Sequence, residues 1–147
     1  MGVEEFRSEV KSGQRFQFGK NWKAFLSTLD ENRIEQSEAS LKKILGVETL
    51  AGKTFLDIGS GSGLFSLAAR NLGASVLSFD FDETSVWCTV EVKRRFYESD
   101  NDWKVLQGSI LDEEFLTALD KYDYVYSWGV LHHTGDMWKA LDNVIDL

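Results

Sequence analysis

The chain has 147 residues, of which 43% are hydrophobic and 27% charged, and a formal net charge of −8. That length and balance suit one globular domain with a proper core, and the negative charge argues against gripping nucleic acid chiefly through phosphates. No apolar run approaches a membrane span, the N-terminus MGVEEFRSEV lacks a basic-then-apolar signal pattern, and a lone cysteine, Cys88, permits no internal disulfide and no metal cluster. A soluble cytoplasmic protein with no membrane or nucleic-acid partner is expected.

Residues 1–15 are polar and mixed in charge, and are expected to be poorly ordered or a short helix. From Phe18 the string FGKNWKAFLSTL sets Phe18, Trp22, Phe25, Leu26 and Leu29 at helical spacing. A second helix is predicted from near Asp30 to Leu45, with Ile34, Leu41, Ile44 and Leu45 on its buried side and Gly46 as its stop.

The stretch from Lys53 to Leu72, KTFLDIGSGSGLFSLAARNL, carries the strongest signal. Thr54 to Ile58 is a short apolar run of the kind that forms a buried strand. Gly59, Ser60, Gly61, Ser62 and Gly63 make a glycine-rich turn, and from Leu64 the apolar period becomes helical through Phe65, Leu67, Ala68 and Leu72. A dinucleotide fingerprint G-x-G-x-x-G would need glycine at position 64, which is Leu64. This disfavours a nicotinamide-dependent oxidoreductase. What stands is Asp57, a small apolar residue, then G-x-G-x-G.

In these residues the chain resembles the class I S-adenosylmethionine-dependent methyltransferases of small-molecule type. The physical rationale is close approach: glycines without Cβ let backbone come up against a nucleoside, and open N–H groups at a helix start suit a carboxylate. The resemblance implies that Gly59, Ser60, Gly61 and Gly63 cradle the cofactor while Asp57 holds its ammonium, directly or through water. It also makes the helices over 16–46 a lid on the cofactor pocket, with Phe18, Asn21 and Trp22 as candidate walls. Packing of Phe18 and Trp22 against the sheet remains equally open, and packing is preferred for Phe25 and Leu26. Proline is absent, which removes the Asn/Asp-Pro-Pro-aromatic motif of amino-methylating nucleic-acid enzymes.

Ala74 to Asp80 reads as the second strand. By resemblance its terminal carboxylate, Asp80, accepts from the ribose hydroxyls, and Phe81 lies against the adenine. Asp82, before Glu83-Thr84-Ser85, is read as a helix N-cap. The helix from Glu83 to Tyr97 is expected to bury Val86, Val90 and Phe96, with Trp87 and Cys88 flanking. Trp103 to Gln107 is a third strand. After it Ser109 stands where the family commonly has an acidic residue for the adenine amino group, so that contact is weaker, and Ile110 offers a backbone N–H and an apolar wall. Asp112 is read as another cap. Tyr122 to Ser127 is a fourth strand running into WGVLHHTGD, a string that resembles the family's fourth motif. Ser127 and Trp128 are then placed near the sulfonium, and His133 is the candidate acid or base on the acceptor. The adjacent histidines lack a third ligand at familiar spacing, so no metal is expected.

The expected architecture is α/β, a Rossmann-like three-layer sandwich with a mainly parallel sheet in the order 3-2-1-4 and N-terminal helices, without the family's usual C-terminal strands. The domain is expected over 16–147, with its core at 53–147. The expected activity is methyl transfer from S-adenosylmethionine to a small molecule, leaving S-adenosylhomocysteine; the alternative is a non-catalytic cofactor-binding module or subunit. An open edge on the fourth strand, Tyr122 to Ser127, is expected to be covered either by a second copy in a homodimer or by the chain's own rearranged helices.

Overall fold

The computed structural model describes Ala24 and residues 26–147. The expectations for Phe18, Asn21, Trp22, Phe25 and the segment 1–15 lie outside these residues. Helix α1 (Glu31–Leu45) begins where the Asp30 side chain accepts the Arg33 N–H, and ends at Gly46, whose φ of 67° closes the last turn. Strand β1 (Thr54–Ile58), helix α2 (Leu64–Asn71), strand β2 (Ser75–Asp80), helix α3 (Glu83–Tyr97) and strand β3 (Trp103–Gln107) follow, and then helix α4 (Glu113–Thr117) and strand β4 (Tyr124–Tyr126). A 3-10 turn (Leu131–His133) leads to helix α5 (Met137–Ile145).

The strands form one parallel sheet in the order β3-β2-β1-β4, as the sequence leads one to expect. Successive residues of a strand point to opposite faces, and both faces are covered. Phe55, Val76 and Trp103 pack with Leu41, Leu67, Ala68 and Val92 of α1, α2 and α3. Leu56, Ile58, Leu77 and Phe79 pack with Leu116 and Ala140 of α4 and α5. This double burial is why the strands read as nearly unbroken apolar runs. No helix among the described residues is long and apolar enough to cross a membrane.

Three expectations are corrected. Ile44 is half exposed, while Ile34 and Leu41 are buried as expected and Ser37 joins them. The face of α3 is turned: Trp87, Val90 and Phe96 are 48%, 46% and 47% exposed, while Ser85, Cys88, Thr89 and Val92 are buried. The face is set in part by the glycine-rich turn, which presents the Ser60 hydroxyl and the Gly61 carbonyl to this helix, where the Thr89 hydroxyl meets both. Strand β4 is also shorter than Tyr122 to Ser127. At its entry Asp123 Oδ2 accepts both the Thr54 N–H and hydroxyl, and the Asp123 N–H donates to Thr54 Oγ1, a side-chain clasp in place of a ladder.

Among the described residues β4 pairs in the sheet with β1 alone. Just before it the Tyr122 N–H donates to the Leu147 carbonyl at 2.9 Å. The turned face of α3 is checked by paired truncations. Val92→Ala is expected to cost about 2 kcal/mol in chemical denaturation, and Val90→Ala to stay within about 0.5 kcal/mol.

Candidate functional site

The C-terminal ends of the parallel strands converge on the glycine-rich turn, the place where open α/β sheets bind ligands. The Gly59 and Ser60 N–H groups both donate to the Phe79 carbonyl, at 2.8 and 3.2 Å, which draws the turn over the tip of β2. The Gly63 N–H closes it on the Ser60 carbonyl at 2.8 Å. Gly59 and Gly63 have φ of 75° and 82°, where an L side chain is strained. Space forbids a side chain as well. A Cβ on Gly59 would meet Val130 Cγ2 at 2.4 Å, and one on Gly63 would meet the Thr89 Cα at 2.9 Å.

Thr89 does more than fill space. Its hydroxyl donates to the Gly61 carbonyl at 3.2 Å and lies 2.8 Å from Ser60 Oγ. Sequence reading had passed over both Thr89 and Val130. For Thr89 the available signal was the helical row Ser85, Cys88, Thr89, Val92, small residues one turn apart.

Asp57 and Asp80 sit at the ends of β1 and β2. Asp80 Oδ2 accepts the Gly61 N–H at 3.0 Å and Oδ1 accepts the Asp82 N–H at 2.9 Å. Burial still pushes its carboxyl up to about 6, against the opposing pull of those bonds. Asp57 is only 3% exposed, and burial pushes it up to about 7, the Ser66 hydroxyl bond opposing and the Asp80 charge adding to the rise. Ser66 Oγ donates to Asp57 Oδ2 at 2.6 Å, and among the described residues it is the sole donor, so Oδ1 is a buried acceptor without a partner. Helix α2 begins just above, its N-cap Gly63 offering no side-chain cap.

The other expected site residues divide. Phe81 is partly buried and its carbonyl accepts from Gln107 Nε2 at 3.2 Å. Ser109 Oγ accepts the Leu111 N–H at 3.1 Å, a local turn contact. The Ile110 side chain is 4% exposed in the core with Ile58 and Phe79, so it is no open wall; its carbonyl accepts from Asn143 Nδ2. The Ser127 hydroxyl donates to the Ile58 carbonyl at 3.1 Å and pins the end of β4 to the end of β1. Trp128 is 70% exposed. His132 and His133 are exposed, with ring centroids 3.9 Å apart. Both Trp128 and His133 belong to the loop that Val130 seats on Gly59. Asp82 and Asp112 cap α3 and α4, accepting the Ser85 and Phe115 N–H groups.

Residues 56–147 match the family model described as methyltransferase domain, a span running from β1 to the last described residue. The chain belongs to the methyltransferase-domain family. Among curated proteins this methyltransferase domain is similar to the tRNA U34 carboxymethyltransferase of Cronobacter sakazakii, 34% identical over 104 residues covering 67% of this chain and 31% of that protein. It is similar too to the ribosomal protein L11 methyltransferase of Helicobacter hepaticus, 32% identical over 124 residues covering 84% and 34%. The chain thus spans about a third of the length of these curated relatives. The fold matches the crystal structure of a magnesium protoporphyrin IX methyltransferase from Synechocystis with bound S-adenosylhomocysteine, with a TM-score of 0.63 at 20% identity over 78% of this chain and 51% of that one.

The methyltransferase domain allows two checks on this geometry. Gly59→Ala is expected to destabilise it by about 1–3 kcal/mol, and Val130→Ala to restore part of that loss, because it removes the clash but not the backbone strain; thermal melts of the single and double variants measure both. The second check is pH. Asp57 and Asp80 hold their protons more tightly folded than unfolded, so folding stability is fully present below about pH 4 and lost as pH rises through about 6 to 7. Denaturation curves across that window are expected to show this slope, and Asp57→Asn to flatten it.

Proposed function

We propose that this domain holds S-adenosylmethionine across the ends of β1 and β2 and supports transfer of its methyl group to a small-molecule acceptor. The observation that carries the reading is the buried, unpartnered Oδ1 of Asp57 beneath the glycine turn. A lone buried carboxylate oxygen next to a second carboxylate is costly unless a cation completes it. The cofactor brings an ammonium and a sulfonium, and when bound supplies a methyl group activated for in-line attack.

The chain's own residues fit that group. Asp57 faces the cation, Asp80 keeps acceptor lone pairs for ribose hydroxyls beyond those it gives to Gly61 and Asp82, and the start of α2, where Gly63 has no side chain to cap the helix, suits a carboxylate. Phe81 borders the base, with Ser109 and the backbone at Ile110 beside it. The loop from Ser127 to His133 borders the acceptor, and positioning with exclusion of water is the larger part of its work. His133 takes a proton where the acceptor must lose one.

A small acceptor is favoured over a polyanion by the net charge of −8 and by the pairing of Arg70 with Asp100 and of Arg94 and Arg95 with Glu91. A homodimer through the outer edge of β4 belongs to the same proposal; sedimentation equilibrium giving a monomer at every concentration would remove it.

Calorimetry tests the cofactor. S-adenosylhomocysteine is expected to bind more tightly than NAD, and Asp80→Ala to weaken it by roughly 10- to 100-fold. Tighter binding of NAD, or undiminished binding by a folded Asp80→Ala variant, defeats the reading. Binding without turnover across a metabolite panel would instead favour a non-catalytic module.

A further inference from the structure

Behind Asp57 lies a buried polar chain that the cofactor reading does not use. Asp57 and Ser78 are register partners on β1 and β2 and share the face of the sheet covered by α2 and α3. Ser66 of α2 lies over the pair, its Oγ 2.6 Å from Asp57 Oδ2 and 2.6 Å from Ser78 Oγ. Trp103 of β3 closes the far end, Nε1–H donating to Ser78 Oγ at 2.9 Å. Ser66, Ser78 and Trp103 are wholly buried and Asp57 very nearly so, which removes water as an alternative partner.

The chemistry of the two ends fixes the direction of every bond. An indole N–H only donates and an ionised carboxylate only accepts. Ser66 therefore gives its proton to Asp57, and Ser78 gives its own to Ser66. Every hydroxyl is satisfied in this one arrangement. A protonated Asp57 would either carry its proton on Oδ2 and reverse the chain, so that Ser66 donates to Ser78 and the Ser78 proton has no acceptor among the described residues, or carry it on Oδ1, where the carboxyl O–H likewise has no acceptor among the described residues. Leaving either buried proton unpaired is unfavourable.

We infer that Trp103 and Ser78 are positioning residues for Asp57: the donor-only indole sets the direction of a buried relay that ends on the carboxylate and favours its ionised form. The inference rests on the reading that Asp57 faces a cationic group of the ligand. Without the relay, burial and the neighbouring Asp80 act on Asp57 unopposed. Asp80 on β2 and Tyr126 on β4 are the titratable groups that face it, and the Tyr126 hydroxyl, pushed up to about 12 by burial and by the Asp57 charge, stays neutral through the range concerned.

The test uses the full chain, with Trp103→Phe removing the N–H and Ser78→Ala as a second variant should the first fail to fold. Carbon-13 NMR of labelled aspartate, with the Asp57 carboxyl assigned by Asp57→Asn, reads its titration midpoint without any ligand. Both variants are expected to raise that midpoint by about half a unit to one unit. S-adenosylhomocysteine affinity is then expected to fall roughly three- to tenfold near neutral pH and to rejoin the parent near pH 9, where Asp57 is ionised in all forms. A loss equal at every pH, or an unmoved midpoint in the folded variants, overturns the inference. A midpoint that moves while the parent binds no S-adenosylhomocysteine upholds the relay and removes the cofactor reading instead.

Discussion

One carboxylate organises the site. Asp80 ends β2, and its two oxygens accept the N–H of Gly61, from the turn after β1, and that of Asp82, from the start of α3. Its own carbonyl accepts the Gly108 N–H beyond β3. Three pieces of chain that are distant in sequence thus meet at one residue. An apolar side chain would leave the Gly61 and Asp82 N–H groups to find other partners, and the turn would keep only its bonds to the Phe79 carbonyl. Parallel strands deliver these ends to one edge, so the topology and the site are the same fact seen at two scales.

The second feature of the site is a local excess of negative charge in a place poor in water. Burial raises both Asp57 and Asp80, and each is further raised by a neighbouring carboxylate, Asp80 for the one and Asp82 for the other. Arg70, the nearest thing to a buried cation on α2, faces Asp100 and the Tyr97 ring on the far side of the helix pair. The domain therefore carries unbalanced negative charge at the C-terminal edge of its sheet. Such strain persists at functional sites because the rest of the fold over-determines it, and here the double-sided core holds β1 and β2 in place while the carboxylates face each other.

The turn and its flanking carboxylates were legible because their signal is spacing: an acidic residue, then glycines at fixed intervals, then a second acidic residue at the end of the next apolar run. The alternation of strand and helix pointed to a parallel sheet, and its order was what the family resemblance implied. What escaped was set by three-dimensional neighbours. An amphipathic reading of α3 buries Val90 and Phe96, yet the helix turns Ser85, Cys88, Thr89 and Val92 inward, and Thr89 meets Ser60 and Gly61. Ile110 looked like a pocket wall and is core. Ser66, Ser78 and Trp103 come from three elements, and no local pattern announces that the strand register aligns them behind Asp57.

The glycines are best understood by what presses on them. Thr89 from α3 occupies the space where Gly63 would carry a Cβ, and Val130 from the loop after β4 occupies that of Gly59. The turn is therefore clamped from both sides, which is the opposite of a flexible hinge. Val130 stands between Trp128 and His133 in its loop, and Ser127 fixes the start of that loop to the end of β1. Any movement of the glycine turn is transmitted to this loop by direct contact. Under the proposed reading, the residues that grip the donor and those that border the acceptor are held in one packed unit, and close packing rather than a charged catalyst keeps the two reactants in line.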